Sequence, residues 1–335
     1  MKHYFPESYA PVLDIKRTQE AILHLKEIFP AHLRTALNLT RVSAPLFVDA
    51  ASGLNDDLNG VERPVGFDLR NLDNMEAQVV QSLAKWKRYA LGRYGYGPGT
   101  GLYTDMNAIR RDEETDNLHS YYVDQWDWEK TITDEDRTIE YLKTTVQSIH
   151  DAIKATELEL SFRYPELKPS LPSSVTFLTT QEAEDRYPEL TPQEREIRLT
   201  EEYGAVFLMQ IGGLLRSGIR HDGRAPDYDD WQLNGDLLYT FPVLGRSVEI
   251  SSMGIRVNKE NLLRQLEAAG QMSRMSLPFH KALLEDRLPL SIGGGIGQSR
   301  LCMLLLQKAH IGEVQCSIWP EEAYSEASRH GVTLL

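Results

Sequence analysis

Ten residues near the end of the chain constrain its fold more than any other stretch: Ser291-Ile292-Gly293-Gly294-Gly295-Ile296-Gly297-Gln298-Ser299-Arg300. An apolar approach through Leu288, Leu290 and Ile292 reads as a strand, and Leu301 to Gln307 reads as a buried helix. Glycines between them let the backbone turn tightly and come close to a ligand. A dinucleotide fingerprint is excluded by the spacing Gly295-x-Gly297-x-x-Arg300, which puts arginine where the third glycine belongs, and by the distance from any opening βαβ unit. A guanidinium in the first turn of a buried helix is costly unless it meets an anion. The segment therefore points to a nucleotide pocket of another architecture.

The rest of the chain supplies strands and helices in irregular alternation, which predicts an α+β fold with a largely antiparallel sheet in a single domain spanning 1–335. Ile15, Ile22, Leu25 and Phe29 recur at helical spacing, and Pro30 is expected to begin a second helical piece. Leu39 to Val48 is strand-like with Pro45 inside it, so an edge or a bulge is expected there. Residues 101–130 read as an antiparallel hairpin, and Thr133 or Asp134 as the cap of a long helix lined by Leu142, Val146, Ile149 and Ile153. A helical insertion is expected over about 160–202. With 335 residues and a net charge of −13, the chain is unlike one that neutralises nucleic-acid phosphates. No apolar run approaches a bilayer span, the start lacks a signal-peptide apolar region, and Cys302 and Cys316 do not suggest a disulfide. A cytoplasmic setting without a membrane partner is the expectation.

Several words carry chemistry. In Gln125-Trp126-Asp127-Trp128-Glu129, strand alternation puts Gln125, Asp127 and Glu129 on one face and both tryptophans on the other. The polar face is either solvent-exposed or a binding surface. Ser82 sits near a helix start and is either a cap or a ligand contact; Lys85 and Lys87 cannot share one helical face, so at most one should point at a pocket. Asn55 to Gly60 is a polar turn, and Arg224 to Trp231 is an acidic stretch without calcium-loop spacing. Asp236 and Glu249 fall on neighbouring strands, where two hard carboxylates beside phosphates make a plausible Mg²⁺ seat.

Together these pieces resemble the three signature motifs of class II aminoacyl-tRNA synthetase catalytic cores, in order. The early helix with the Pro45 strand resembles the dimer-forming first motif. The hairpin with Arg110 and Glu113 resembles the second, and Gly295 to Arg300 the third. Gln81-Ser82, Lys87, Gln125-x-Asp127-x-Glu129, Leu233-Asn234-Gly235, and Glu249 followed by Arg256 are similar to the aspartate branch. Closer still, Ser82 to Arg88, Tyr122 to Glu129, Arg224 to Trp231 and Ser251 to Arg256 resemble ammonia-dependent asparagine synthetases, the aspartate–ammonia ligases, over nearly the whole chain. The separation of Asp229 and Asp236 departs from members that have a longer loop there, which leaves the closing of the site rim open.

The resemblance implies a ligase of asparagine biosynthesis. ATP and L-aspartate would form a β-aspartyl-adenylate, and ammonia would convert it to L-asparagine with release of AMP and pyrophosphate. It implies Arg110, Glu113, Gly295, Gly297 and Arg300 at ATP, with the glycines as room for the nucleotide to lie against the sheet. Asp236 and Glu249 would hold Mg²⁺. Ser82, Lys87, Gln125, Asp127, Arg224, Asp229, Ser252 and Arg256 would surround aspartate, and Asp56 would be the base that deprotonates ammonium; a homodimer is also implied. Glutamine is excluded as nitrogen source, because position 2 is Lys2 and both cysteines lie in or after the last motif. The rival readings are an aspartyl- or asparaginyl-tRNA synthetase relative, which would need an anticodon domain and a basic surface, and a non-catalytic aspartate or nucleotide sensor, which should have lost Arg110, Arg300 or a metal carboxylate.

Overall fold

The computed structural model describes residues 2–56, 58 and 62–335. Of the polar turn, Asn55, Asp56 and Leu58 are among them, while Asp57, Asn59 and Gly60 lie outside the described residues. The strands described are β1 (Leu39–Arg41), β2 (Phe47–Asp49), β3 (Gly66–Leu69), β4 (Met75–Val79), β5 (Gly101–Ile109), β6 (Tyr122–Thr131), β7 (Thr176–Thr179), β8 (Ala205–Met209), β9 (Asp229–Phe241), β10 (Arg246–Arg256) and β11 (Ser291–Gly297). The helices are α1 (Ile15–Leu37), α2 (Ala84–Tyr94), α3 (Ile139–Arg163), α4 (Thr180–Arg186), α5 (Pro192–Tyr203), α6 (Lys259–Ala268), α7 (Pro278–Leu284), α8 (Gln298–Leu305) and α9 (Glu321–Arg329). Eight strands form one sheet in the order β1-β5-β6-β11-β10-β9-β8-β7, and β2-β4-β3 form a small second sheet. In the large sheet only the outer pairs, β1 with β5 and β7 with β8, are parallel. The inner strands pair antiparallel, as the alternating sequence of the hairpin requires.

One face of this sheet is core and the other carries chemistry. Trp126 and Trp128 are fully buried with Ile292, Ile296, Met253 and Ile255 against the helices. The rings of Phe29 in α1 and Trp126 lie 4.7 Å apart, centroid to centroid. Each large side chain buried this way contributes about 1.5–3 kcal/mol. The opposite face presents Gln125, Asp127 and Glu129, so the period-two reading holds. The solvent-exposed alternative fails, since Asp127 and Glu129 are themselves buried.

Four local expectations are corrected. Pro30 does not start a new helix: α1 runs through it, with Phe29 and Leu33 fully buried on either side. Burial of that stripe offsets the ~3 kcal/mol that an interior proline costs. Leu39 to Val48 is not one strand but two short ones in different sheets, because Pro45 has no N–H to continue a ladder. The long helix is capped by Thr138, whose side chain accepts from Tyr141 N; Thr133 is instead engaged by Asp136 Oδ2 in a turn before it. The stretch 160–202 holds α4 and α5 as expected. It also holds β7, which lengthens the large sheet by pairing with β8.

The pairing of β9 with β10 slips twice. Glu249 faces Leu238 and Ser251 faces Leu237, so Ile250 has no opposite residue. Gly254 faces Asn234 while Arg256 faces Asp229, so β9 bulges between them. Asp229 and Asp236 are thus on one continuous strand, with no loop between them.

Candidate active site

Strands β6, β11, β10 and β9 form the floor of a cavity of about 430 Å³, whose walls come from the β5–β6 hairpin, the start of α2, the Asp56 turn and residues 222–229. Its lining includes Asp56, Ser82, Lys87, Arg110, Glu113, Gln125, Asp127, Arg224, Asp229, Glu249, Ser252, Arg256, Gly295, Gly297 and Arg300. Asp236 stands one step back, ion-paired with Arg224. Residues separated by more than 200 positions in sequence therefore converge on one volume of a size that suits small-molecule ligands.

One end of the cavity is a ladder of buried ion pairs. Lys87 Nζ donates to Asp127 Oδ1 at 2.7 Å and to the Gly294 carbonyl at 2.8 Å. Burial pulls the Lys87 ammonium below its ordinary range, while Asp127 opposes this. Arg256 donates through Nε to Glu129 Oε1 at 2.9 Å and through Nη2 to Oε2 at 2.6 Å, and its Nη1 pairs with Asp229. Ser291 Oγ adds a bond to Glu129 Oε1 at 2.7 Å. Burial would raise the Glu129 carboxyl, but Arg256 outweighs it and holds the group below its usual range. At Asp229 burial prevails over the same guanidinium and the carboxyl is raised. Ser82 is not the cap expected of it: Leu83 holds the N-cap position of α2 without a side-chain bond, while Ser82, one residue earlier, accepts from Ala84 N at 3.1 Å in a turn and lines the cavity. Asp56 is buried at the rim. Its Oδ1 accepts from Leu58 N at 3.1 Å, and its carbonyl accepts from Gln81 Nε2 at 2.8 Å.

The other end gathers cations around one carboxylate. Arg300 Nη1 lies 3.5 Å from Glu249 Oε2 and donates to the Glu249 carbonyl at 3.2 Å. Desolvation would raise the Glu249 carboxyl, yet Arg300, Arg224, Arg110 and His119 hold it below its ordinary value. Asp236 is pushed the other way, first by burial and then by the Glu249 carboxylate nearby, with Arg224 opposing. Two carboxylates that repel on adjacent strands form a donor set that a hard divalent cation relieves. Among the described residues no group of three or more His, Cys, Asp or Glu could hold a metal alone. The pair therefore fits an ion such as Mg²⁺, which takes one or two carboxylates and completes its shell with water or phosphate.

At two glycines of β11 the space that a side chain would need is already occupied. A Cβ on Gly293 would lie 2.6 Å from Arg256 Nη2 and closer still to a Glu129 carboxylate oxygen. On Gly295 it would lie 2.8 Å from Asp127 Oδ1 and closer to Gln125 Oε1. The room at these two positions is thus filled by Gln125, Asp127 and Glu129 of β6 and by Arg256. Gly297 is looser, its nearest neighbour being Arg300 Cβ at 3.3 Å. After it, α8 has no side-chain cap of its own; Asp124 Oδ1 accepts from Ser299 N at 3.0 Å and from Ser299 Oγ at 2.6 Å. That tertiary cap anchors the helix turn bearing Arg300.

Sequence reasoning did not single out Tyr228, His119 or Asp124. Tyr228 lines the cavity with Arg256 Cζ 5.8 Å from its ring centroid, and burial drives its hydroxyl well above the ordinary range. Its position inside Asp227-Tyr228-Asp229 was the available signal. Of the two lysines in α2, Lys87 enters the cavity and Lys85 turns away to Asp227, as the helical geometry demands.

A largely antiparallel sheet walled by this hairpin, with an inner glycine strand that leads into an arginine-bearing helix, has the fold of class II synthetase catalytic cores. The Pyrococcus horikoshii asparaginyl-tRNA synthetase complexed with asparaginyl-adenylate superposes with a TM-score of 0.63 at 18% identity, covering 94% of this chain and 75% of that one. The Entamoeba histolytica asparaginyl-tRNA synthetase, also with asparaginyl-adenylate, gives 0.60 at 15%, covering 91% and 69%. At the level of sequence, the aspartate-ammonia ligase family model matches residues 16–331. The aspartate–ammonia ligase of Ruminiclostridium cellulolyticum is 59% identical over 98% of each chain, and that of Lactobacillus johnsonii is 60% identical over 98% of each. The chain belongs to the aspartate–ammonia ligase family.

Proposed function

We propose that this enzyme amidates L-aspartate with ammonia at the expense of ATP, through a β-aspartyl-adenylate, giving L-asparagine, AMP and pyrophosphate. The observation that carries the reading is the convergence, in one cavity, of a carboxylate-and-cation ladder suited to an amino acid and an arginine cluster suited to phosphates. Full-length identity to ligases favours this over tRNA charging, since the synthetase likeness is one of fold.

In this reading aspartate occupies the Lys87 end. Its ammonium meets Gln125, Asp127 and Asp229, and its carboxylates meet Lys87, Arg224 and Arg256, with Ser82 and Ser252 as hydrogen-bonding partners. Arg256 already commits Nε, Nη1 and Nη2 to Glu129 and Asp229, so Lys87 and Arg224 are the freer cations. The β-carboxylate attacks the α-phosphorus and pyrophosphate leaves. Arg110 and Arg300 offset the charge that develops on the phosphate oxygens. Glu113, Gly297 and the backbone of Gly295, whose side-chain space is already taken, complete the ATP side. Mg²⁺, when bound by Asp236 and Glu249, would neutralise phosphate charge. Asp56 takes the proton that ammonium must lose before its nitrogen lone pair can attack the β-acyl carbon. The acyl–oxygen bond then breaks, and AMP leaves with the bonding pair.

The proposal extends to a single catalytic domain in which the α4–α5 segment is an insertion. It extends also to a cytoplasmic homodimer without a nucleic-acid partner. Exposed Phe47 and Phe67, in ring contact at 5.1 Å on the small sheet, offer an apolar surface for a second copy. No described helix is long and apolar enough to cross a membrane, and Cys302 and Cys316 are free thiols. Product analysis with ATP, Mg²⁺, aspartate and ammonium tests the reaction. AMP with asparagine is expected; ADP or charged tRNA overturns the reading.

A further inference from the structure

Behind the cavity, and not lining it, the Asp227 carboxylate is fully buried, and one of its oxygens gathers three donors. Lys85 Nζ of α2 lies 3.2 Å from Oδ2, Arg274 Nη1 of the 3₁₀ turn Met272–Ser276 lies 2.7 Å away, and His280 Nε2 of α7 lies 2.9 Å away. Burial works to raise this carboxyl, but Lys85, His280 and Arg274 outweigh it and hold it well below the usual range, so it remains an anion. Its chain neighbours Tyr228 and Asp229 face the cavity. Lys85 precedes Lys87 by two positions, so one helix sends one ammonium into the site and the other to Asp227.

The backbone of the same loop is gripped independently. Gln265 of α6 donates Nε2 to the carbonyls of Pro226 at 3.0 Å and Asp229 at 2.9 Å, and its Oε1 accepts from Trp231 N at 2.9 Å. A buried ion cluster is a poor source of stability compared with apolar residues of the same volume. What this one supplies is a fixed distance between two elements.

We propose that Asp227 is a positioning residue for the amino-acid substrate: it ties the helix carrying Lys87 to the loop carrying Arg224 and Asp229, and so sets the width across which aspartate is held. The inference rests on the adenylation reading above. The phosphate-side residues Arg110, Glu113 and Arg300 sit on the β5–β6 hairpin and α8, and the ion pairs of Asp227 are made instead with α2, the 3₁₀ turn and α7. The signature is therefore an asymmetry between the two substrates, which a purely structural role, acting on the folded fraction, does not produce.

The test is aspartate-dependent ATP–pyrophosphate exchange by Asp227→Asn and, separately, Lys85→Met, well below each variant's melting temperature. The KM for aspartate divided by the KM for ATP should rise at least fivefold in both variants. A smaller change in that ratio in a folded Asp227→Asn enzyme overturns the proposal. If Asp227→Asn does not fold, Lys85→Met, which leaves Asp227 two partners, decides by the same criterion. Wild-type enzyme without aspartate-dependent exchange would refute the adenylation reading itself, an outcome distinct from an unchanged ratio.

Discussion

Replacing glycines in β11 one at a time separates the roles of its neighbours. A methyl group on Gly295 would stand 2.8 Å from Asp127 Oδ1, where ordinary contact begins at about 3.4 Å, so the carboxylate must retreat by roughly 0.6 Å. That retreat breaks the geometry of the 2.7 Å bond from Lys87, a charge-assisted contact worth about 1.5–3 kcal/mol. If aspartate is held by this pair, the loss appears as a rise of about ten- to a hundredfold in its KM. Gly293→Ala strikes deeper, at Glu129 and Arg256 Nη2, and breaking that buried pair costs about 3–5 kcal/mol of stability. Gly297→Ala meets only Arg300 Cβ at 3.3 Å, a few tenths of an ångström to yield, so an effect below about threefold is expected. Exchange kinetics with aspartate varied at saturating ATP, together with calorimetric melting, read all three. A Gly295→Ala enzyme with near-normal aspartate KM, or a Gly293→Ala enzyme as stable as wild type, would refute the reasoning.

Asp56→Asn should keep aspartate-dependent exchange largely intact and stop asparagine formation, since the carboxylate is assigned to the ammonia step; equal loss of both removes it from that role. Arg110→Ala should abolish exchange itself, and near-normal exchange would break the assignment of the hairpin arginine. Acid should destabilise the fold through His310, buried against His3 at 3.0 Å and lowered by burial, then by His3, from 6.5 to about 3. Its folded pKa lies below the unfolded one, so stability is full above pH 6.5 and is lost as pH falls. The loss is about 2 kcal/mol between pH 6.5 and 5. Urea midpoints at pH 7 and pH 5 should show a smaller drop in His310→Asn than in wild type, and equal drops count against the assignment.

The chemistry-bearing words were legible because each is local: a strand of alternating acids and tryptophans sorts its own faces, and a lysine pair in a helix divides itself. Local sequence likewise announced the glycine strand, though not what its space is for, since Glu129 and Asp127 come from another strand. Features that depend on distant partners stayed hidden. Asp227 meets Lys85, Arg274 and His280 from 142, 47 and 53 positions away. Asp124 caps a helix 175 positions later. Local competition explains other misses, as where Asp136 engaged Thr133 and left the cap to Thr138.

The two slips between β9 and β10 bear on how this site tolerates change. In an unbroken ladder, residues an odd number apart face opposite sides. Glu249 and Ser252 are three apart and Asp229 and Asp236 seven, yet each pair serves the same side because an odd number of residues is left over between its members, one in β10 and three in β9. The site is thus written partly in counting. Inserting one residue between Leu237 and Leu238, opposite Ile250, would leave every functional residue in the chain and still turn Glu249 from the cavity toward the core. Parity, as much as side-chain identity, is what this strand has to preserve.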